Sequence, residues 1–364
     1  MTSSFIHDHT NSELHLRKKI PVGILGATGS VGQRLVQLLS KHPWFDLVAV
    51  AASEKSVGKS YKSAVNWLLS TPLPSSIADL QLQTCEPHLP CKIVFSAVDS
   101  EIAGAVEEKF ANHGYVVISM AKHYRMDPTV PLLIPEVNAD HLALVKKQRF
   151  ANGGMIITKP NCSVIGLALA LRPLALEFGI EAAEVVTMQS ISGAGFPGVP
   201  SISLLDNIIP YIPGEEEKLQ SETVKVLGKY SDGSITPYPL TVNATCTRVP
   251  VTEGHLEVVS LKLRQQATMD QIKRAWHEFE SPIQTLKLPT SPTQILYYFE
   301  EADFPQPKLH RELENGMAVA IGRLRPACIF DYSFVLLSHN TLRGAAGGAI
   351  LTAELLVKNG FVYW

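Results

Sequence analysis

The chain is expected to fold as an α/β protein, with a Rossmann-like nucleotide-binding unit joined to an α+β unit. Three observations predict this. An apolar run, Ile20 to Leu25, passes straight into Gly26-Ala27-Thr28-Gly29-Ser30-Val31-Gly32 and then into a helical pattern, Gln33 to Leu39; strand, glycine turn and helix in that order open a dinucleotide-binding βαβ unit. Short apolar runs then recur between helical stretches, which implies a parallel sheet. Finally, 364 residues exceed the roughly 250 to 300 that one core supports, so a second packed unit is expected.

The second strand is read from Leu47 to Ala52, ending in Ser53-Glu54-Lys55-Ser56. The third runs from Ile93 to Ala97 and ends in Val98-Asp99-Ser100, and Tyr115 to Ser119 supplies another. Met155 to Thr158 leads through Lys159-Pro160-Asn161-Cys162-Ser163 into an apolar helix, Val164 to Leu176. Beyond Cys162 the texture changes. Glu184 to Ile191 reads as a strand closing on Ser192-Gly193-Ala194-Gly195, and Val258 to Leu263 alternates at period two, so this sheet is not a simple βαβ array. The tail helix, Gly344 to Val357, begins Gly-Ala-Ala-Gly-Gly; side chains that small imply close approach, either to a cofactor or to another helix.

Basic and acidic side chains nearly balance, 32 against 34, so no global positive field exists to hold nucleic acid or an anionic membrane. The longest apolar runs fall short of the roughly 18 residues a membrane span needs, and a soluble, cytoplasmic protein is expected. Five scattered cysteines (Cys85, Cys91, Cys162, Cys246, Cys328) suggest no disulfide framework. Residues 1–19 read as a polar, solvated extension bearing His7, His9 and His15, with neither a secretory signal nor a transit peptide.

Glycines 26, 29 and 32 permit a tight turn, backbone approach to a pyrophosphate and close helix-to-sheet packing, and the helix start offers free N–H groups to an anion. At the end of the second strand, Ser53, Lys55 and Ser56 suit a 2′-phosphate and point to NADP, while Glu54 leaves a ribose contact of the NAD type open. Cys162 lies where a strand gives way to a helix, a place where N–H dipoles favour a thiolate. The other four cysteines read as small core filling.

These residues, with Gln189-Ser190-Ile191-Ser192-Gly193-Ala194-Gly195, Gly214-Glu215-Glu216-Glu217-Lys218, and Arg248-Val249-Pro250-Val251 followed by Gly254-His255, make the chain resemble aspartate-semialdehyde dehydrogenase, its archaeal and fungal branch most closely. The likeness runs from about Lys19 to the C-terminus. It implies reductive dephosphorylation of L-aspartyl 4-phosphate to L-aspartate 4-semialdehyde with NADPH, in the biosynthesis of lysine (through diaminopimelate), threonine and methionine. Cys162 would attack the acyl phosphate and carry the thioester, and His255, read as lying in a loop before a strand, would be the acid/base.

The resemblance further implies that Arg248 grips the substrate α-carboxylate, Glu215 pairs with its ammonium group and Lys218 meets phosphate; Glu216 and Glu217, as members of a charge run, read as a solvated helix face. Arg125 and Asn161 would hold the phosphate oxygens, and Gln189 would position substrate or a water. Gly26, Thr28, Gly29, Ser30, Val31, Gly32, Ser53, Ser56, Ser96, Ala97, Ser192, Gly193 and Asn340 would surround the cofactor, the last three near the nicotinamide. The implied architecture is an NADP-binding domain at 20–158, completed by 339–364, and a catalytic and dimerisation domain at 159–338, in a homodimer or homotetramer that needs no metal. An acyl-CoA reductase, such as one acting on malonyl-CoA, is the alternative on the same scaffold; it has no use for a phosphate site or an ammonium partner. An N-acetylglutamyl-phosphate reductase ranks lower, because Pro160-Asn161-Cys162-Ser163 departs from its glycine-cysteine-tyrosine pattern. A non-catalytic NADPH-binding protein would lack the thiol, base or carboxylate clamp.

Overall fold

The computed structural model describes residues 18–362, so the histidine-bearing leader lies outside the described residues. The first half runs β1 (Ile20–Leu25), α1 (Ser30–Leu39), β2 (Phe45–Ala51), α2 (Tyr61–Ala64), α3 (Ser75–Ala78), β3 (Leu82–Gln83), β4 (Ile93–Ser96), α4 (Ser100–Asn112), β5 (Val116–Ser119), α5 (Pro135–Asn138) and β6 (Met155–Thr158). The six strands form one parallel sheet ordered β3-β2-β1-β4-β5-β6. This order reverses between β1 and β4, and in such a sheet the crevice at the strand C-termini is where ligands bind.

The second half continues with α6 (Cys162–Glu177), β7 (Ile180–Gln189), α7 (Glu215–Val226), β8 (Lys229–Ser231), β9 (Ser234–Thr236), β10 (Thr241–Arg248), β11 (His255–Leu263), α8 (Met269–His277), β12 (Leu296–Phe299), α9 (Pro307–His310), β13 (Val319–Pro326), β14 (Tyr332–Ser338) and α10 (Gly347–Lys358). Its main sheet is mixed, ordered β10-β7-β11-β14-β13-β12, with β7, β11, β14 and β13 antiparallel in succession and parallel pairs at both edges. The α+β expectation for this half therefore holds.

Helix α6 is apolar on every side and buried from Ser163 to Leu171, as a helix enclosed within a core must be. Its residues share one cluster with the second sheet, including Val185, Val259 and Phe334. Helix α10 instead packs with the first sheet: Ala349, Ile350 and Leu351 share a core with Ile24, Phe95 and Ile118. The chain thus returns to its starting layer. A π-helical turn, Leu342–Ala346, joins β14 to α10. Strand β7 starts four residues before the expected Glu184, and His255 is the first residue of β11 rather than part of a loop. Among the described residues no helix is long and apolar enough to cross a membrane.

Candidate active site

The site is organised around the turn between β6 and α6. Asn161 caps the helix, its Oδ1 accepting from the Ser163 N–H at 2.9 Å, and this sets Cys162 in the first helical position. Strand β11 brings His255 opposite, with Nε2 3.2 Å from Cys162 Sγ. On the other side of the ring the Ser190 N–H donates to Nδ1 at 3.0 Å, and Ser190 Oγ lies 3.2 Å away. Because a backbone N–H can only donate, Nδ1 accepts and the neutral ring carries its proton on Nε2, facing the sulfur.

Electrostatics depart from the expected thiolate. Burial first, then the Glu215 carboxylate, push the Cys162 thiol up to about 12, against the pull of Arg125 and Arg248. Burial and then the Arg248 charge lower the His255 imidazole to about 3. Without a ligand the pair is therefore a neutral thiol beside a neutral ring, and the helix N-terminus does not outweigh desolvation.

Helix α7 supplies one wall. Gly214 takes a left-handed conformation, φ 70°, to start it, and Glu215 turns inward to meet Lys218 Nζ at 2.6 Å, Asn161 Nδ2 at 2.8 Å and Gln189 Nε2 at 3.2 Å. Burial works to raise the Glu215 carboxyl, but Lys218, with the bonds from Asn161 and Gln189, holds it below its usual range. Glu216 is not simply solvated: its Oε1 accepts from the Cys246 N–H at 3.0 Å. Arg248, at the end of β10, donates from Nη1 to the Ser190 carbonyl at 2.8 Å. Arg125 donates to Glu222 Oε1 and the Met120 carbonyl, both at 2.9 Å.

A cavity of about 420 Å³ lies over these groups; Cys162, Arg125, Asn161, Gln189, Glu215, Lys218 and Arg248 line it, as do Ser30, Val31, Ser192, Gly193 and Asn340. Across the glycine turn a second cavity, about 550 Å³, is lined by Gly26, Thr28, Gly29, Ser53, Glu54 and Ala97. The turn fits a dinucleotide: Gly26 has φ 78° and a Cβ there would collide with the Ala97 carbonyl oxygen, while α1 starts without a side-chain cap, leaving N–H groups for an anion. One cavity would take the adenosine end and the other the nicotinamide and substrate.

Three expected cofactor residues do not line either cavity. Ser96 is fully buried and donates to Glu107 Oε1 at 2.6 Å. Gly32 packs α1 onto the turn, where a Cβ would collide with the Gly26 carbonyl oxygen. Ser56 sits in a one-turn helix, its N–H donating to the Ser53 carbonyl at 2.9 Å. Two further residues are engaged in bonds within the chain. Asn340 accepts from the Gly254 N–H at 2.9 Å and donates to Ser192 Oγ at 2.8 Å, tying together the segments that flank His255. The Asn161 carboxamide, expected on phosphate, caps α6 and holds Glu215, leaving one Nδ2–H for a ligand. Lys122, Lys159 and Thr341 in the first cavity, and Thr84, Glu86 and Asp99 in the second, were not anticipated.

Glu253, Glu312 and His339 converge with metal-like geometry. His339 Nδ1 faces the Leu342 N–H at 3.3 Å, however, and its Nε2 faces the two carboxylates, each 3.6 Å away. Arg34 of α1 pairs with Glu253 at 2.6 Å. The cluster reads as an ionic tie between α1 and the loop before His255.

Comparison with known proteins agrees with this geometry. A family model described as "Semialdehyde dehydrogenase, NAD binding domain" matches residues 21–145, and one described as "Semialdehyde dehydrogenase, dimerisation domain" matches residues 171–343. The aspartate-semialdehyde dehydrogenase of Archaeoglobus fulgidus is 46% identical over 344 residues, covering 94% of this chain and 99% of its own. That of Schizosaccharomyces pombe is 46% identical over 353 residues, with 94% and 99% covered. The crystal structure of the Candida albicans aspartate-semialdehyde dehydrogenase with NADP superposes with a TM-score of 0.86 at 39% identity, covering 95% of this chain and all of that one.

Proposed function

The chain belongs to the aspartate-semialdehyde dehydrogenase family, and from that premise we propose that Cys162 and His255 carry the reaction, with Arg248, Glu215, Lys218, Arg125, Asn161 and Gln189 holding the substrate. The activity is NADP-dependent reductive dephosphorylation of L-aspartyl 4-phosphate to L-aspartate 4-semialdehyde, a step of lysine, threonine and methionine biosynthesis. The observation that carries the residue assignment is the 3.2 Å approach of Cys162 Sγ to His255 Nε2, beside a cavity that Cys162 lines with two arginines, Glu215 and Lys218 and that reaches Ser30 and Val31 of the glycine turn.

In the biosynthetic direction Sγ attacks the acyl carbon, the carbon–oxygen bond to phosphate breaks, and the thiol proton leaves with the phosphate, giving a thioester on Cys162. A substrate ammonium at Glu215 would offset the carboxylate's share in raising the thiol, while burial, the larger share, stays in place. Arg248, a planar fork at 5% exposure, suits the α-carboxylate. When bound, NADPH would supply the hydride that reduces the thioester; the carbon–sulfur bond then breaks, freeing the semialdehyde, and the sulfur takes up the proton that the overall reaction consumes. His255 Nε2–H faces the reacting atoms and handles the proton at the oxygen that becomes the aldehyde.

The proposed division is an NADP-binding domain at 20–158 completed by 339–364, with the catalytic and dimerisation domain at 159–338; the core shared by α10 and the first sheet supports it. A homodimer or homotetramer is supported by the exposed Phe196, Ile202, Leu205, Ile208 and Tyr211 in the loop after β7. Five free thiols suit a reducing, cytoplasmic location. The test is phosphate-dependent reduction of NADP with aspartate semialdehyde. Cys162→Ala should abolish turnover and leave NADP binding nearly intact; turnover that survives the substitution would remove the thiol from the mechanism.

A further inference from the structure

We propose that Glu222 is a positioning residue for the phosphate step, one carboxylate that holds both the Arg125 guanidinium and the turn bearing the nucleophile. The inference deepens the function proposed above and rests on it. Glu222 is 2% exposed. Its Oε1 accepts from Arg125 Nη1 at 2.9 Å, and its Oε2 accepts from the Asn161 N–H, one residue before Cys162, at 2.6 Å.

Donor counting shows what this leaves free. A guanidinium has five N–H groups; one on Nη1 goes to Glu222 and one on Nη2 to the Met120 carbonyl. One remains on each terminal nitrogen, together with Nε–H, which is buried without a partner among the described residues. Arg125 lines the cavity over Cys162, so the donors left on its terminal nitrogens are held where an oxyanion in that cavity could meet them. Lys225 secures the backbone of the same loop, its Nζ donating to the carbonyls of Arg125 at 2.7 Å, Asp127 at 2.8 Å and Val130 at 3.2 Å. Glu215, Lys218, Glu222 and Lys225 fall at helical spacing on the inward face of α7. One face of one helix thus touches the nucleophile's turn and both cationic groups expected at the phosphate.

A plain electrostatic role predicts the opposite sign. If Glu222 only neutralised Arg125, Glu222→Gln would leave an unpaired guanidinium facing the cavity and phosphate would bind more tightly. If Glu222 positions, glutamine offers one acceptor oxygen where two are needed and sets an N–H against either Arg125 or the Asn161 N–H. Phosphate binding then weakens.

The experiment compares wild type, Glu222→Gln and Glu222→Asp in phosphate-dependent NADP reduction, alongside phosphate protection of Cys162 against iodoacetamide. Expected for Glu222→Gln are a phosphate KM raised roughly tenfold, the scale of one charge-assisted hydrogen bond, a matching loss of phosphate protection and a KM for NADP within twofold of wild type. Glu222→Asp, which restores the charge on a shorter stem, should recover part of that loss; should Glu222→Gln not fold, Glu222→Asp is judged alone, with a phosphate KM raised at least threefold. A phosphate KM that is unchanged or lower, or that moves in step with the KM for NADP, overturns the assignment. A wild-type chain with no phosphate-dependent turnover overturns instead the function on which it rests.

Discussion

Gly344→Ala adds one methyl group where the returning tail meets the nucleophile. A Cβ at Gly344 would lie 2.8 Å from Cys162 Cβ and 3.1 Å from Cys162 Cα, whereas carbon atoms pack at about 3.5 to 4.0 Å. The contact must open by roughly 0.7 Å or more, and the obstacle is the main chain of Cys162 rather than the end of a flexible side chain. Residue 344 is in a helical turn with an ordinary φ, so alanine there relieves glycine's helical disadvantage of about 1 kcal/mol. That gain offsets part of an overpacking cost of about 1 to 3 kcal/mol, and the net change in stability is small. Activity is far more sensitive. Displacing Cys162 by most of an ångström breaks the 3.2 Å contact with His255, and such a misplacement costs roughly 100-fold in rate. The assay is kcat/KM for phosphate-dependent NADP reduction, with NADP affinity measured by protein fluorescence as the control. A kcat/KM within threefold of wild type, in a folded variant, would refute the reasoning.

Two further predictions come from buried titratable groups. Since burial pushes the Cys162 thiol up to about 12, iodoacetamide should label the free enzyme faster by roughly tenfold per pH unit from pH 7 to 10; a rate that is flat between pH 6 and 8 would mean a thiolate–imidazolium pair is already formed. Lys159, 1% exposed, is lowered from 10.5 to about 7, by burial first and then by the Arg343 charge. The folded chain therefore holds fewer protons than the unfolded one between about pH 7 and 10.5, and Lys159 costs stability, up to ~5 kcal/mol, below that window. Lys159→Met should melt above wild type at pH 6.5 and at or below it at pH 9.5; parallel pH profiles of the two melting temperatures would refute this.

The parts of the fold that could be read in advance were those written in local spacing. Glycines 26 and 29 follow a Val- and Ile-rich run, and the chain needs a positive φ at Gly26 where the turn passes under the Ala97 carbonyl and lines the second cavity. Ser96 and Ala97 show where such reading erred: adjacent residues at a strand end face opposite ways, so only one of the pair could meet a ligand, and Ser96 turns to Glu107 while Ala97 lines the cavity. Ser190 belonged to a recognisable motif, but its hold on His255 could not be read from it, since that hold includes a backbone N–H that every residue but proline possesses.

Charge was the hardest property to foresee, because it depends on what the tertiary fold removes from water. The start of α6 suggested an ionised sulfur, yet a helix dipole is worth about 1 kcal/mol and acts over a single turn, while burial of Cys162 and the nearby Glu215 oppose it. The same burial makes the site responsive. Glu215 is held below its usual range by Lys218, Asn161 and Gln189, so it is ionised, and in the proposed pose it would share its charge between Lys218 and the substrate ammonium. In the proposed pose a substrate ammonium would offset the carboxylate's share in raising the thiol and leave only the share due to burial, whereas an acyl-CoA without one would offset neither. Discrimination between the two substrate classes then lies in nucleophile activation as well as in binding, and it should appear in kcat for substrate analogues that lack the amino group.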